Sequence, residues 1–261
     1  MTEPGVLVEH EGRVATLRLN RPAAANALNS AVIDELIDRL ADVGAEDGTS
    51  VVRLTAAGSR AFCAGADLKE VGALDGVDAV RRYFGGMARL IEAMERCPKP
   101  LVAAVFGYTL AGGMGLAAGA DLVVAADNTV FGLPEIQVGL FPMVVMAPIS
   151  RHLGRRRTLE LAWTGDRMDV ATAERWGFVN RVVPAEELDA GSLAYCQQLA
   201  QHSAFILRMG KEAAGVFPSL PAGEQMRYLR EMVGLVALSD DSRAGLAAFW
   251  AQRQQADGKK P

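Results

Sequence analysis

Cysteine and histidine are both scarce in this chain. Cys63, Cys97 and Cys196 stand far apart, and His10, His152 and His202 are the only imidazoles. An odd number of cysteines cannot pair completely, so a disulfide scaffold is unsupported and a reduced, intracellular setting is expected. The acids and histidines show no paired spacing, which leaves a metal centre without ligands to propose. No histidine lies beside a glycine turn or an evident nucleophile, so a Ser-His-Asp arrangement also lacks support. Long apolar runs are missing: nothing approaches the roughly 18 residues needed to span a bilayer. The opening MTEPGVLVEH is polar and acidic, unlike a signal peptide or an arginine-rich transit peptide. A cytoplasmic protein without membrane association is therefore expected. Neither sign of charge dominates, since 27 basic residues face 31 acidic ones for a net charge of −4. That balance argues against general affinity for nucleic acid or acidic membranes. No low-complexity segment or fixed-spacing repeat is visible.

What the chain does have is apolar residues, half of its 261 positions, which suffices for a sizeable core in one large domain or one domain with a small extension. Val6 to Glu9 and Val14 to Leu19 alternate about Gly12 and read as a β-hairpin. Asn29 or Ser30 can cap a helix through Leu40, whose apolar positions Val32, Ile33, Leu36, Ile37 and Leu40 share one face. Val51 to Leu54 reads as a strand, and Val77 to Cys97 as a helix stopped by Pro98 and Pro100. Val144 to Gly154, Thr158 to Trp163 and Ala171 to Trp176 read as helices, and Phe178 to Val183 as a last strand. From Glu186 the pattern is helical, interrupted mainly by Pro218 and Pro221. Strands alternating with helices and then helices alone predict an α/β core with a helical tail.

The stretch from Lys99 to Pro142 carries the chemistry. Leu101 to Phe106 and Leu122 to Ala126 are continuous apolar runs that read as strands covered on both faces. Between them, Ala111, Gly112, Gly113, Gly115 and Gly119 would let a helix press its backbone against a neighbour or a ligand, with the unpaired amides of its first turn facing a developing negative charge. Gly113, Gly115 and Ala118 match a dinucleotide fingerprint, but GYTLA intervenes after the strand and removes the required context. Arg151, Arg155, Arg156 and Arg157 form a basic cluster, for which a solvated helix end is a simpler reading than a phosphate grip. Glu135 differs from these, since it follows Pro134 within VFGLPEIQVGLFPMVVM, where nearly every neighbour is apolar. Such surroundings disfavour the ionised carboxyl and raise its pKa, which suits a proton shuttle at neutral pH. A glutamate capping a surface turn is the plain alternative.

The loop AFCAGADLKE, then KPLVAAVFGYTLAGGMGLAAGADLVVAAD and FGLPEIQVGLFP, resembles the enoyl-CoA hydratase/isomerase family, the crotonase superfamily. NRPAAANALN before them, and TGDRMDVATAERWGFVNRVVP and GLAAFWAQR after them, look like the same family in the same order, so the resemblance covers nearly the whole chain. It implies an α/β spiral of repeated ββα units over residues 1–190 and a helical trimerisation region over residues 191–261, giving a homotrimer or hexamer. It also implies an acyl-CoA thioester substrate, with coenzyme A as part of that substrate and no separate cofactor or metal. Carried over residue by residue, Ala66 and Gly112 fall where the family supplies two backbone amides to the thioester oxygen. Ala64, Gly65, Asp67 and Leu68 match the loop along the adenine of coenzyme A, Ala24 matches another wall, and Phe249 an aromatic of the C-terminal helix that reaches the ligand.

Two departures bear on the reaction. Family hydratases hold water between two glutamates, and here one of those positions is Gly115, leaving Glu135 alone. At Met143, where hydratases often have glycine, a long apolar side chain would reshape the acyl pocket. A single base beside an enolate site suffices for an allylic proton shift, so 3-enoyl to 2-enoyl-CoA isomerisation is the preferred expectation. Enoyl-CoA hydration is the alternative, and a catalytically impaired CoA-binding relative a further one. A glutamate introduced at Gly115 is expected to face Glu135 and favour hydration.

Overall fold

The structure, a computed structural model, describes residues 3–257. Strands β1 (Val6–Glu11) and β2 (Val14–Leu19) form the antiparallel hairpin, closed at Gly12, whose φ of 61° suits glycine. Helix α1 (Ser30–Ala45) starts where Asn29 accepts a hydrogen bond from the Val32 amide at 3.0 Å, and it runs past Leu40 because Val43 extends the buried stripe. Next come β3 (Val51–Ala56), the short α2 (Leu68–Gly72), α3 (Gly76–Arg96) and β4 (Leu101–Val105). Every residue of β3 and β4 is buried, as the unbroken apolar run of β4 requires; in β3 the polar Arg53 and Thr55 are buried with the rest.

Between the central strands the expected glycine-rich helix is α4 (Gly112–Gly119), ahead of β6 (Leu122–Ala126), and it is preceded by a short strand the sequence did not suggest, β5 (Tyr108–Leu110). After β7 (Val130–Gly132) and a 3-10 turn over Pro134–Val138, α5 (Met143–Thr164) includes both helices expected between Val144 and Trp163. Its one non-helical residue is Gly154, at φ 71° and ψ 165°, where the sequence pattern breaks. Then follow β8 (Arg167–Asp169), α6 (Val170–Arg175), β9 (Arg181–Val183) and α7 (Leu188–Ala200). The last strand is shorter than expected, because Phe178 and Val179 are buried in the turn before it.

Six strands make the main sheet in the order β1-β2-β3-β4-β6-β9, parallel apart from the hairpin. The three-residue strands β5, β7 and β8 form a second sheet, too short for a period-2 pattern to reveal. Helix α7 belongs to this unit, and a fully buried cation ties it down. The Arg53 guanidinium donates to the Asp189 carbonyl at 2.7 Å, to Ser192 Oγ at 3.2 Å and to Thr16 Oγ1 at 3.0 Å, and so connects α7 with two strands.

The chain divides into two compact units at Ala200/Gln201. The second consists of α8 (Ala204–Val216), a 3-10 turn at Phe217–Ser219, α9 (Ala222–Ala237) and α10 (Asp240–Asp257). Pro218 and Pro221 fall in the connection between α8 and α9, as their missing donors and fixed φ demand. Among the described residues no helix is long and apolar enough to cross a membrane.

Candidate active site

A cavity of about 1030 Å³ opens in the first unit. Of the residues singled out in the sequence, Ala24, Ala64, Ala66, Asp67, Leu68, Gly112 and Glu135 all line it, as does Met143. Gly65 lies behind the wall, and Phe249 belongs to α10 in the second unit, where its ring meets Trp250 at 5.4 Å. Gly113 and Gly115 are buried in packing, so the fingerprint glycines face protein. In the arginine cluster, Arg151 pairs with Glu95 and Arg157 lies 4.6 Å above the Trp176 ring. None of its members lines the cavity.

The wall around Ala66 is built by the turn before α1. Asn26, at φ 52°, accepts from the Arg21 amide at 2.9 Å and donates to the carbonyls of Ala57 and Ala61 at 2.9 and 2.8 Å. This fixes Leu28, whose amide donates to the Gly65 carbonyl at 2.8 Å and whose carbonyl accepts from the Asp67 amide at 2.9 Å. That parallel bridge between Leu28 and Ala66 employs the groups on either side of Ala66 and turns the Ala66 N–H away from its partner strand. Asp67 also accepts from Arg21 Nη2 at 2.9 Å and from the Lys69 amide at 3.1 Å, capping α2. Burial opposes ionisation of Asp67, yet these bonds hold its carboxyl below the usual range.

The second wall is the start of α4. Ala111 caps it at φ 52° and ψ −121°, a conformation that costs a residue with a Cβ about 1–3 kcal/mol. Its amide donates to the Gly132 carbonyl at 2.9 Å, so the second sheet holds the strained corner. The Gly112 amide, first in the helix, has no carbonyl four residues back to bond. Gly65 lies against this corner: a Cβ there would come within 2.5 Å of the Ala111 Cβ and 3.2 Å of the Gly112 nitrogen, and its φ of 102° also favours glycine. The two amide-bearing segments are thus in contact, and neither the Ala66 nor the Gly112 amide has a hydrogen-bond acceptor among the described residues. Adjacent free donors suit an oxygen on which negative charge develops.

Glu135 enters from the 3-10 turn, which Pro134 starts and Gly139 closes at φ 77°. Burial pushes its carboxyl up to about 7, against the pull of its own backbone amide, and Oε2 is buried without a hydrogen-bond partner. A carboxyl in that state can take or give a proton near neutrality. Gly115 overturns the expectation of a vacant seat for a second carboxylate. A Cβ there would sit 2.3 Å from Val145 Cγ1 and 2.8 Å from Val145 Cβ, so α5 already fills the space. Tyr83, Met87, Gln137, Val145 and Arg167 also line the cavity without having been singled out in the sequence. Tyr83 had a usable signal, a hydroxyl on the apolar stripe of α3 that must find a partner.

The Glu135 carboxyl, with its buried Oε2, thus shares a large cavity with two free amides, in a unit where a small second sheet stands beside a largely parallel one. A family model described as enoyl-CoA hydratase/isomerase matches residues 9–258. A probable enoyl-CoA hydratase of Mycobacterium tuberculosis is 37% identical over 254 residues, 97% of each chain. Another of Rhizobium meliloti is 36% identical over 256 residues, 97% of this chain and 98% of that one. The crystal structure of an enoyl-CoA hydratase from Mycobacterium smegmatis superposes with a TM-score of 0.92 at 30% identity, covering 96% of this chain and 97% of that one. The chain belongs to the enoyl-CoA hydratase/isomerase family, and it is an enzyme of the crotonase superfamily.

Proposed function

We propose that this enzyme adds water to a 2-enoyl-CoA thioester, with the Glu135 carboxylate moving the proton. The observation that carries the proton-transfer chemistry is the buried, unpartnered Glu135 Oε2 in the same cavity as the free amides of Ala66 and Gly112. The names of the relatives support hydration over the isomerisation expected from sequence. In this reading the Glu135 carboxylate takes a proton from water as the water oxygen bonds the β-carbon. The electron pair moves onto the thioester oxygen, held by the two amides, and the resulting enolate takes the proton from Glu135 at its α-carbon. Coenzyme A is then part of the substrate. Ala24, Ala64, Asp67 and Leu68 would wall its adenine with Gly65 behind them. The apolar side chains Met87, Val145 and Met143 would receive the acyl group.

A second reading, 3-enoyl to 2-enoyl-CoA isomerisation, is favoured by the contact of Gly115 with Val145, which leaves no room for a second carboxylate to orient water. In it Glu135 takes the α-proton and returns it to the γ-carbon. We further propose a cytoplasmic homotrimer or hexamer. Turnover with 2-enoyl-CoA and 3-enoyl-CoA thioesters of one chain length, with products weighed, separates these reactions. Hydration adds one water to the mass and isomerisation adds none. Binding of both thioesters without turnover would point to a catalytically impaired family member and overturn both.

A further inference from the structure

The bridge that turns the Ala66 amide is itself clasped from outside. Tyr83 is 4% exposed and lies on the buried stripe of α3 with Met87, Leu90 and Met94. Its hydroxyl donates to the Leu28 carbonyl at 2.6 Å and accepts from the Asp67 amide at 3.1 Å. These groups are the same pair that closes one half of the Leu28–Ala66 bridge, the Asp67 N–H lying 2.9 Å from the Leu28 oxygen. The other half is the bond from the Leu28 amide to the Gly65 carbonyl. The peptide groups on both sides of Ala66 are therefore held through Leu28, and Leu28 through Tyr83. Burial pushes the phenol up to about 12, so it keeps its proton at neutral pH and remains a donor. Phenylalanine would fill the same space beside Phe84 and Met87. Only the hydroxyl reaches the bridge.

We propose that Tyr83 is a positioning residue for the thioester-oxygen site: acting through Leu28 and Asp67, its hydroxyl sets the direction of the Ala66 N–H. The proposal rests on the reading of Ala66 as a donor to that oxygen. Such a donor acts through its alignment with charge that develops during the reaction, so a small rotation lowers turnover more than it lowers ground-state binding.

The test is Tyr83→Phe in the full chain, with Leu90→Val as a control that loosens α3 without touching the hydroxyl. Removing an oxygen-site donor costs about 10²–10³ in kcat, and misaligning one should cost roughly tenfold, with acyl-CoA affinity changed less than about threefold. A readout independent of the reaction is the infrared carbonyl stretch of bound butyryl-CoA labelled with 13C at the thioester carbon. Its red shift on binding to wild type should shrink in Tyr83→Phe and persist in Leu90→Val. An unchanged shift and kcat in Tyr83→Phe would overturn the proposal, as would an equal loss of shift in Leu90→Val or failure of Tyr83→Phe to fold. No red shift in wild type would remove the oxygen site and this proposal with it. A shift that depends on Tyr83 in an enzyme that turns over neither enoyl thioester would support the proposal while overturning the reaction.

Discussion

Glu135 is the residue whose surroundings matter most to its chemistry. Burial raises its carboxyl from the ordinary 4.5 to about 7, so at neutral pH both protonation states are populated. As a base it must be ionised to begin either reaction, and kcat/KM should rise with pH through about 7 and then level off. Glu135→Gln should lower kcat by roughly two to four orders of magnitude while leaving CoA-ester binding nearly unchanged, and full activity in this variant would remove Glu135 from the mechanism. The raised pKa also predicts a stability effect whatever the reaction. Between pH 4.5 and 7 the folded chain keeps a proton that the unfolded chain releases, so this group's contribution to stability is fully present below 4.5 and is lost as pH rises through 7. Glu135→Gln abolishes the titration, so the melting temperature of the variant minus that of wild type should increase across this window and stay constant above it. A difference independent of pH would mean that the carboxyl is not desolvated.

The pairing of elements decides what α4 can carry. Seven of its eight residues are buried, and its glycines admit their neighbours at distances that no side chain allows: a Cβ on Gly113 would lie 2.1 Å from the Cys63 carbonyl oxygen. Gly115 meets Val145 of α5 in the same way. Gly115→Glu alone should therefore destabilise the fold by about 3 kcal/mol, near the top of the range for overpacking, without adding a working carboxylate. Removing the obstruction in Gly115→Glu/Val145→Gly should recover much of that stability, a non-additivity measurable in a denaturant double-mutant cycle. The double variant should also raise the ratio of hydration to isomerisation relative to wild type. A single variant as stable as wild type would refute the contact. A folded, substrate-binding double variant with an unchanged ratio would show that this position does not set the reaction.

At the scale of the whole molecule, the second unit presents large apolar side chains to solvent, among them Met226, Val233, Leu235, Leu238, Phe249 and Trp250. Apolar exposure on that scale suits association between copies of the chain. Light scattering at micromolar concentration should give the mass of a trimer or hexamer. Leu238→Glu, at a position 70% exposed in the single chain, should shift the distribution towards smaller species while leaving helical content intact. A wild-type monomer would contradict the proposed assembly.

Most of the longer elements, and several of the residues that line the cavity, were legible along the chain. The continuous apolar runs became the largely buried strands β4 and β6, Asn29 capped α1, the glycine at 154 broke α5, and the apolar run around Glu135 foretold a raised carboxyl pKa. These are local consequences of periodicity, backbone freedom and neighbouring composition. What depends on residues distant in the chain emerged with the folded molecule. The three-residue strands of the second sheet exist because they pair with one another, and no residue near Gly115 in sequence announces that Val145 occupies its side-chain space. The bond of Tyr83 to a bridge between residues 28 and 66 likewise depends on where α3 comes to rest. A sequence pattern states which groups must be buried or hydrogen-bonded, whereas the identity of the neighbour that fills each requirement is set only when the chain closes on itself.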